Sequence, residues 1–396
     1  MKTTSHRINF TVALVLIAAN LRMAIICIPP LTKTLENSLN LSQTQIGFLT
    51  SIPLICFGVF SIIIGYIVQQ INVKLLIAIF LSLLAIFNFV RVYSQSMLYI
   101  GTFFTGLSIT ALNILIPVII LQRVNVNTNK LNGIYTATFN ICASIVSIII
   151  VPLSSIIVWQ TSIQLLSVPA LLGLIGWMFT SQPNSVTLHP HKSQPQHKNR
   201  YLHFLTTKRV WILTFFFGMQ SFTFYVTSAW LPSILNSHHM TTTTAGILFG
   251  IFQFIGVPAS YIAPQFMNSN RGLFRLMIII GCGYIAGFIL LSFNNGIIIS
   301  ILACLVLGLT SSASFALALS FITTISPSAS DAGAIGGIVQ SFGYLIASSG
   351  PTLTGIMIER TGNWNLVLIL LVVISFILMI LGISLVRSVS KKHVVN

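Results

Sequence analysis

The chain has very few acidic residues: only 3 of its 396 residues are Asp or Glu, against 19 that are Lys or Arg. Charged residues make up 6% of the chain, whereas they make up about a quarter of an ordinary soluble domain. An ordinary soluble globular protein is therefore excluded. The net charge of +16 does not indicate a nucleic-acid partner, because the basic residues separate apolar runs instead of alternating with aromatic residues on one face.

Residue patterns that support catalysis or metal binding are also lacking. The five cysteines lie inside apolar segments without paired spacing, so neither a disulfide framework nor a zinc site is indicated. The sequence contains no recognisable nucleophile–base pair and no glycine loop of the kind that binds phosphate. We therefore expect no enzymatic activity, no metal site and no cofactor.

Long apolar runs, in contrast, are abundant: hydrophobic residues make up 55% of the chain, and its mean hydropathy is +0.96. A helix needs roughly 20 apolar residues to cross a bilayer. Twelve runs near or above this length can be counted, at 9–31, 46–68, 75–93, 97–121, 133–154, 160–180, 210–235, 245–267, 273–293, 297–324, 332–358 and 364–386. We predict an all-α membrane protein with twelve transmembrane helices, embedded in the lipid bilayer.

The basic residues lie mainly on one side of these crossings. If the N-terminus is cytoplasmic, fifteen basic residues lie in cytoplasmic segments, and only Lys33, Arg91 and Arg360 lie on the outer side. Cytoplasmic loops of membrane proteins carry an excess of Lys and Arg. The distribution predicts a multi-pass protein of the cell (plasma or inner) membrane with both termini in the cytoplasm.

The longest polar stretch divides the chain into two halves. Residues 181–209 contain three prolines and five basic residues, and six apolar runs lie on each side of them. This pattern predicts an N-terminal six-helix bundle over residues 1–180, a cytoplasmic linker over 181–209 and a C-terminal six-helix bundle over 210–396.

Matching motifs in the two halves support this 6+6 division. Gly47 and Gly246 occur in equivalent Thr-x-x-Gly-x-Leu motifs 199 residues apart, and Asn140 and Gln340 occupy equivalent places 200 residues apart. Parallel repeats of this kind are typical of transporters that enclose a binding site near the middle of the bilayer, where the halves meet.

One charged residue lies deep inside an apolar run. Arg22 is about 13 residues into the first run, which places it roughly 20 Å along a helix axis. Placing arginine at this depth costs at least about 2.5–3.5 kcal/mol, so it usually faces a cavity with a partner in reach. The three acids, Glu36, Asp331 and Glu359, lie at or beyond the ends of apolar runs. We infer that an anionic or strongly dipolar substrate supplies the missing partner; the alternative is pairing with helix carbonyl groups.

Further candidate substrate-binding residues are polar groups inside apolar runs. Asn20 points about 200° away from Arg22 on a helix, so it either contacts the substrate separately or bonds to a neighbouring helix. In the seventh run, Gln220, Ser221 and Tyr225 either form a second half-site that faces Arg22 or make hydrogen bonds between helices.

The remaining candidates lie in the fourth, fifth and eleventh runs. Asn140 and Gln340 occupy equivalent places in the two halves, where they either line a central cavity or hold helices together. Asn113 is a weaker candidate, because Pro117 one turn later frees a backbone carbonyl that the amide of Asn113 can satisfy instead.

Several motifs together resemble a known transporter family. They are Asn20-Leu21-Arg22, Gly133-Ile134-Tyr135-Thr136 leading to Asn140, Gln220-Ser221 with Phe224-Tyr225 and Trp230-Leu231-Pro232, and Gln340-Ser341-x-Gly343-Tyr344-Leu345 through Gly350-Pro351. With these motifs in this order, the chain resembles the major facilitator superfamily, and within it the cyanate and nitroimidazole permeases. The resemblance implies the two-bundle fold and alternating access around a central site.

The expected function is secondary-active transport of a small anionic or polar solute of cyanate, nitro or carboxylate type, anchored by Arg22. Because all acids and histidines lie outside the apolar runs, we favour exchange of anions, or entry of a weak acid with its own proton, over a protein-borne proton relay.

The alternative is an exporter of bulky amphipathic compounds, for which the 28 phenylalanines would form an apolar pocket. A sensor without transport is a third possibility. We expect the protein to function as a monomer.

Overall fold

The computed structural model describes residues 2–68, 70–121, 128–180, 203–293, 296–326 and 329–390. This part of the chain is built from helices and contains no strand. We number the α-helices α1 Lys2–Ile26, α2 Thr32–Leu39, α3 Gln43–Ile67, α4 Val73–Val90, α5 Gln95–Leu121, α6 Thr128–Ile157, α7 Trp159–Gln164, α8 Ser167–Met178, α9 Lys208–Ser237, α10 Thr242–Ile262, α11 Asn270–Ser292, α12 Ile297–Ile325, α13 Ala329–Thr361 and α14 Trp364–Ser390. Short 3-10 helices cover Pro29–Leu31 and Ala263–Asn268.

Eleven helical segments of the described chain are long and apolar enough to cross a membrane. Two of these crossings are composite, because α1 continues through the 3-10 turn into α2, and α7 continues into α8. The 33-residue helix α13 lies between two of the eleven and is joined to each by a short connection, so we count it as the twelfth crossing. The prediction of an all-α membrane protein is confirmed.

The crossings form two groups of six, α1–α8 and α9–α14, called here the first and second halves. Because the crossings alternate in direction, α1 begins and α14 ends on the same side, called here the terminal face. The other side is called the opposite face. The predicted linker 181–209 lies mostly outside the described residues, although α9 already begins at Lys208. The domain boundaries therefore stay a prediction.

Local sequence signals fix where several helices begin. Ser42 and Gln45 form a reciprocal capping box at the start of α3. The side chain of Thr241 caps α10, and that of Ser269 caps α11. Each cap satisfies a backbone N–H group that a helix N-terminus leaves without a partner. These starts set the register in which the helices of the two halves meet.

Helices α3 and α13 pack closely between the opposite face and the middle of the bundle. A Cβ atom on Gly47 would collide with the carbonyl oxygen of Pro351 and lie 3.0 Å from Cα of Thr352. The hydroxyls of Ser51 and Thr352 are 2.9 Å apart. Only glycine at position 47 allows the backbones of the two halves to approach this closely.

A second contact between the halves joins α6 to α10, also on the side of the opposite face. The hydroxyl of Ser144 donates to the carbonyl oxygen of Gly250 at 2.9 Å. A Cβ atom on Gly246 would lie 3.0 Å from the carbonyl oxygen of Ser147. Both contacts between halves are therefore made largely by backbone atoms.

Toward the terminal face the two halves separate. Gly65 is seven residues, or about two turns, beyond Gly58 and lies on the same side of α3. A Cβ on Gly58 would touch Leu345, but a Cβ on Gly65 would have no neighbour within 4 Å. The same holds for Gly333 and Gly337 on α13. A cleft therefore opens between the halves at the terminal face.

Arg91 lies at the C-terminus of α4, on the opposite face. Its side chain is 0% exposed. Its Nη1 donates to the carbonyl oxygen of Ala24 at 2.9 Å, and its Nη2 donates to the sulfur of Cys27 at 3.3 Å. Arg91 thus caps the C-terminus of α1, where the partial negative charge of a helix end favours a cation.

Candidate functional site

Arg22 lies between the two halves at the inner end of the cleft. Its side chain is half-buried, and its Nη1 donates to Oδ1 of Asn140 on α6 at 3.1 Å. The guanidinium carbon lies 4.8 Å from the ring centre of Phe139 and 5.5 Å from that of Phe224 on α9. Each such cation–π contact contributes about 0.5–2 kcal/mol, which offsets part of the cost of the buried charge. Both halves thus hold this arginine.

Part of the guanidinium remains without a partner. Among the described residues, Nη1 alone makes a hydrogen bond, so Nε and Nη2 have no protein acceptor. No carboxylate lies at this depth in the described chain, because Glu36 and Glu359 lie toward the opposite face and Asp331 is in the first turn of α13. The site is a positive charge with two open donors along one edge.

Tyr135 and Asn113 form the side of the site that faces the terminal face. Tyr135 is one turn before Phe139 on α6, and the two ring centres are 5.3 Å apart. The hydroxyl of Tyr135 donates to Oδ1 of Asn113 at 2.8 Å. Asn113 therefore reaches the site through the hydroxyl of Tyr135, and it does not contact Arg22 directly.

Aromatic residues close the cleft toward the opposite face. The ring of Tyr344 on α13 is 5.2 Å from that of Phe57 on α3, so this pair joins the two halves. The ring centre of Tyr225 lies 6.3 Å from that of Tyr344 and 5.0 Å from that of Phe224. Gln340 is half-buried one turn from Tyr344, on the side of the terminal face. The cleft ends at this aromatic layer.

Asn20 lies outside this cluster. Its Nδ2 donates to the carbonyl oxygens of Leu16 at 2.7 Å and Pro169 at 3.1 Å, and Asn20 is 2% exposed. It therefore ties α1 to α8 inside the first half. This direction agrees with the helical geometry that separates it from Arg22 by about 200°.

Gln220 and Ser221 also point away from Arg22, into the second half. Nε2 of Gln220 donates to the carbonyl oxygen of Ser311 at 3.4 Å, and the hydroxyl of Ser221 donates to Oε1 of Gln220 at 3.1 Å. Both side chains are buried against α12. Of the eight candidates, the structure brings together Arg22, Asn140 and Tyr225, and places Asn113 beside them through Tyr135. The amide of Gln340 lies beside Gly336, on the side of α13 that meets Ile322 of α12. Asn20, Gln220 and Ser221 lie elsewhere.

Sequence reasoning did not assign the rings that hold Arg22 to the site. Phe139 directly precedes Asn140, and Phe224 directly precedes Tyr225, so adjacency to a polar candidate was the available signal. In the described part of the chain, no three His, Cys, Asp or Glu side chains lie close enough together to hold a metal ion.

Comparison with known proteins identifies the family. The sequence profile described as Major Facilitator Superfamily matches residues 11–351. The chain belongs to this superfamily. The 2-nitroimidazole transporter of Escherichia coli (strain K12) is 29% identical over 389 residues, which cover 96% of this chain and 95% of the relative. The cyanate transport protein CynX of the same organism is 22% identical over 359 residues, covering 89% and 90%.

Solved structures agree with this assignment at the level of the fold. The crystal structure of the nucleoside transporter NupG superposes with a TM-score of 0.78 at 15% identity, covering 96% of this chain and 98% of that one. The predicted resemblance and fold class are confirmed. The protein is a multi-pass membrane protein and, like its relatives, a secondary transporter of small solutes.

Proposed function

We propose that this protein carries a small planar anion or polar solute of cyanate, nitro or carboxylate type by alternating access, with Arg22 as the anchor. The open edge of the Arg22 guanidinium carries this proposal. Arg22 lies at mid-depth with two unpaired donors, and no carboxylate of the described residues lies near it. Its charge therefore needs an acceptor from outside the protein. A bound oxyanion would supply that acceptor.

The geometry favours a flat ligand. A guanidinium presents its donors in a planar fork that matches two acceptor atoms at once, which a lysine ammonium does not. Phe139 and Phe224 lie close to the guanidinium, and Asn140 already accepts a hydrogen bond from Nη1. The edge formed by Nε and Nη2 is therefore the one that a ligand can approach. The substrates after which the two relatives are named, 2-nitroimidazole and cyanate, are small solutes whose nitrogen or oxygen atoms can accept such bonds.

We also propose that the terminal face is cytoplasmic. Among the described residues, this face holds Lys74, Lys208, Arg209, Arg271, Arg275 and Arg387, whereas the opposite face holds Lys33, Arg360 and the buried Arg91. An excess of basic residues marks the cytoplasmic side. With this orientation, the cleft that ends at Arg22 opens to the cytoplasm, and the structure is an inward-facing state.

The surroundings of Arg22 support exchange of anions, or entry of a weak acid with its own proton. In the described part of the site, the titratable neighbours of Arg22 are the phenols Tyr135, Tyr225 and Tyr344. A phenol has an ordinary pKa near 10 and does not exchange protons readily at neutral pH. A carboxylate-based proton relay has no support in this site.

Counterflow in proteoliposomes tests the proposal. Vesicles preloaded with nitrate, cyanate, acetate or 2-nitroimidazole are assayed for exchange with and without a pH gradient. Arg22→Ala should abolish exchange. Arg22→Lys keeps the charge but loses the fork, and losing one charge-assisted hydrogen bond should raise KM about 10- to 150-fold. Arg275→Lys, at an exposed position on the terminal face, is the matched control. Unchanged exchange by Arg22→Ala would refute the anchoring role.

The aromatic layer of the cleft supports a second candidate function. Phe57, Phe139, Phe224 and Tyr344 together form an apolar surface suited to a bulky amphipathic compound. An exporter of such compounds would keep its activity in the Arg22→Ala variant, since apolar contact would dominate binding. Export of a lipophilic cationic dye by wild type and Arg22→Ala therefore separates the two candidates.

A further inference from the structure

Gln253 on α10 is a buried amide whose donor is unused. Its side chain is 6% exposed, and Nε2 has no hydrogen-bond partner in the part of the chain that the structure describes. A buried polar group left in this state costs about 1–3 kcal/mol. Natural sequences retain such groups rarely, so the position of Gln253 calls for an explanation.

The register of α6 against α10 places Gln253 at the level of the site. Gly246 lies against Ser147, and Gly250 accepts a hydrogen bond from Ser144. The two helices run in opposite directions, so a residue later in α10 lies beside a residue earlier in α6. Gln253 comes three residues after Gly250 and therefore lies at the level of Asn140 and its neighbour on α6.

The helical phase agrees with the register. At about 100° per residue, Gln253 lies within roughly 20° of Gly246 around α10, and Asn140 lies within roughly 20° of Ser147 around α6. Both side chains are therefore on the faces through which the two halves touch. Asn140 is the residue that accepts from Nη1 of Arg22.

We propose that Gln253 is a substrate-binding residue whose Nε2 donates to the anion held by Arg22. This inference rests on the proposed function of Arg22. The first half then supplies the charged fork, and the second half supplies a neutral donor at an angle to it. An anion with three acceptor oxygens in one plane, such as nitrate, can use both at once. Acetate has only two oxygens, so the amide of Gln253 would have to share an oxygen that the fork already binds.

A donor from the second half also makes the bound ligand a bridge between the halves. A ligand can shift a conformational equilibrium only by binding one state more tightly than another. Arg22 belongs to the first half, whereas a ligand that also accepts from Gln253 contacts both halves directly and senses their separation. Gln253 therefore ties occupancy of the site to the closing of the cleft.

The test is nitrate and acetate binding to the purified full-length protein by isothermal titration. Gln253→Leu should raise the nitrate Kd about 10- to 100-fold, by loss of one hydrogen bond to a charged ligand, and should change the acetate Kd much less. Gln265→Leu, the same substitution at an exposed position, is the control and should leave both constants unchanged. If Gln253→Leu does not fold, Gln253→Met replaces it with the same expectation.

The outcomes separate this inference from the function on which it rests. If Arg22→Lys loses nitrate binding while Gln253→Leu binds nitrate like wild type, the inference is overturned and the anchoring role of Arg22 stands. A lower melting temperature for Gln253→Leu with unchanged Kd values also overturns it, because the residue is then structural. If wild type binds none of nitrate, cyanate, acetate and 2-nitroimidazole, the proposed function itself is refuted, and the inference is refuted with it. Loss of the preference for nitrate over acetate in Gln253→Leu supports the inference.

Discussion

The contact between Gly47 and α13 predicts that a single methyl group will shift the protein between its conformations. In the present state, a Cβ atom at position 47 would collide with the carbonyl oxygen of Pro351 and crowd Cα of Thr352. These are backbone atoms, which cannot rotate away as the end of a side chain can. In the alternate state of the transport cycle, the halves part on the opposite face and the collision is absent. Gly47→Ala should therefore penalise the present state only.

The size of the effect follows from the packing. Forcing an extra methyl group into a closely packed interface costs about 1–3 kcal/mol. This penalty changes the ratio of the two states about 5- to 150-fold in favour of the state that opens to the opposite face. Gly65→Ala is the matched control: it lies on the same helix, gains the same intrinsic helix propensity of about 1 kcal/mol, and meets nothing within 4 Å.

Spin-label distances across the mouth of the cleft measure the shift. Labels attached to cysteines at Tyr66 and Gly333, in a background with the five native cysteines replaced, report the separation of α3 and α13 at the terminal face. Gly47→Ala should move the distribution toward short distances, and Gly65→Ala should leave it unchanged. Equal distributions in both variants would show that the α3–α13 contact does not control the state of the carrier.

Three further predictions concern the side chains around α1. Asn20→Ala removes two hydrogen bonds to backbone oxygens and should lower the melting temperature in detergent, with KM unchanged; a raised KM would place Asn20 in the site. Phe139→Leu and Phe224→Leu each remove one ring from the guanidinium and should raise KM about 2- to 30-fold in counterflow, whereas unchanged values would show that the rings do not orient Arg22. Arg91→Lys cannot reach both of its acceptors from one ammonium and should lower the melting temperature without altering exchange per folded molecule; full stability would contradict its capping role.

The twelve crossings could be predicted from sequence because the thickness of a bilayer sets a minimum length for each apolar run. Arg22 could be singled out by exclusion, since the chain has so few acids that its partner could not be found among them. The burial of Arg91 could not be predicted, because its acceptors lie on another helix and only the position of the C-terminus of α1 explains it.

The rotation of each helix about its own axis could not be predicted. The side chains of Gln220 and Tyr225 point about 140° apart around α9. A rotation of α9 that points one of them into the cleft therefore points the other away from it. Because the polar residues of α9 are spread around the helix, the sequence contains no polar stripe that would decide between them. Gln253 was missed for the same reason, since only the glycine contacts between α6 and α10 reveal which way it faces.

The cap that Arg91 places on α1 has an electrical consequence for the residue one turn earlier on the same helix. An uncapped helix end carries roughly half a negative elementary charge, and here it would lie close to Arg22 in a poorly polarisable interior. Such a charge would repel an incoming anion and weaken the pull of the arginine. By offsetting it from a buried position, Arg91 keeps the surroundings of Arg22 more positive than an uncapped α1 would leave them.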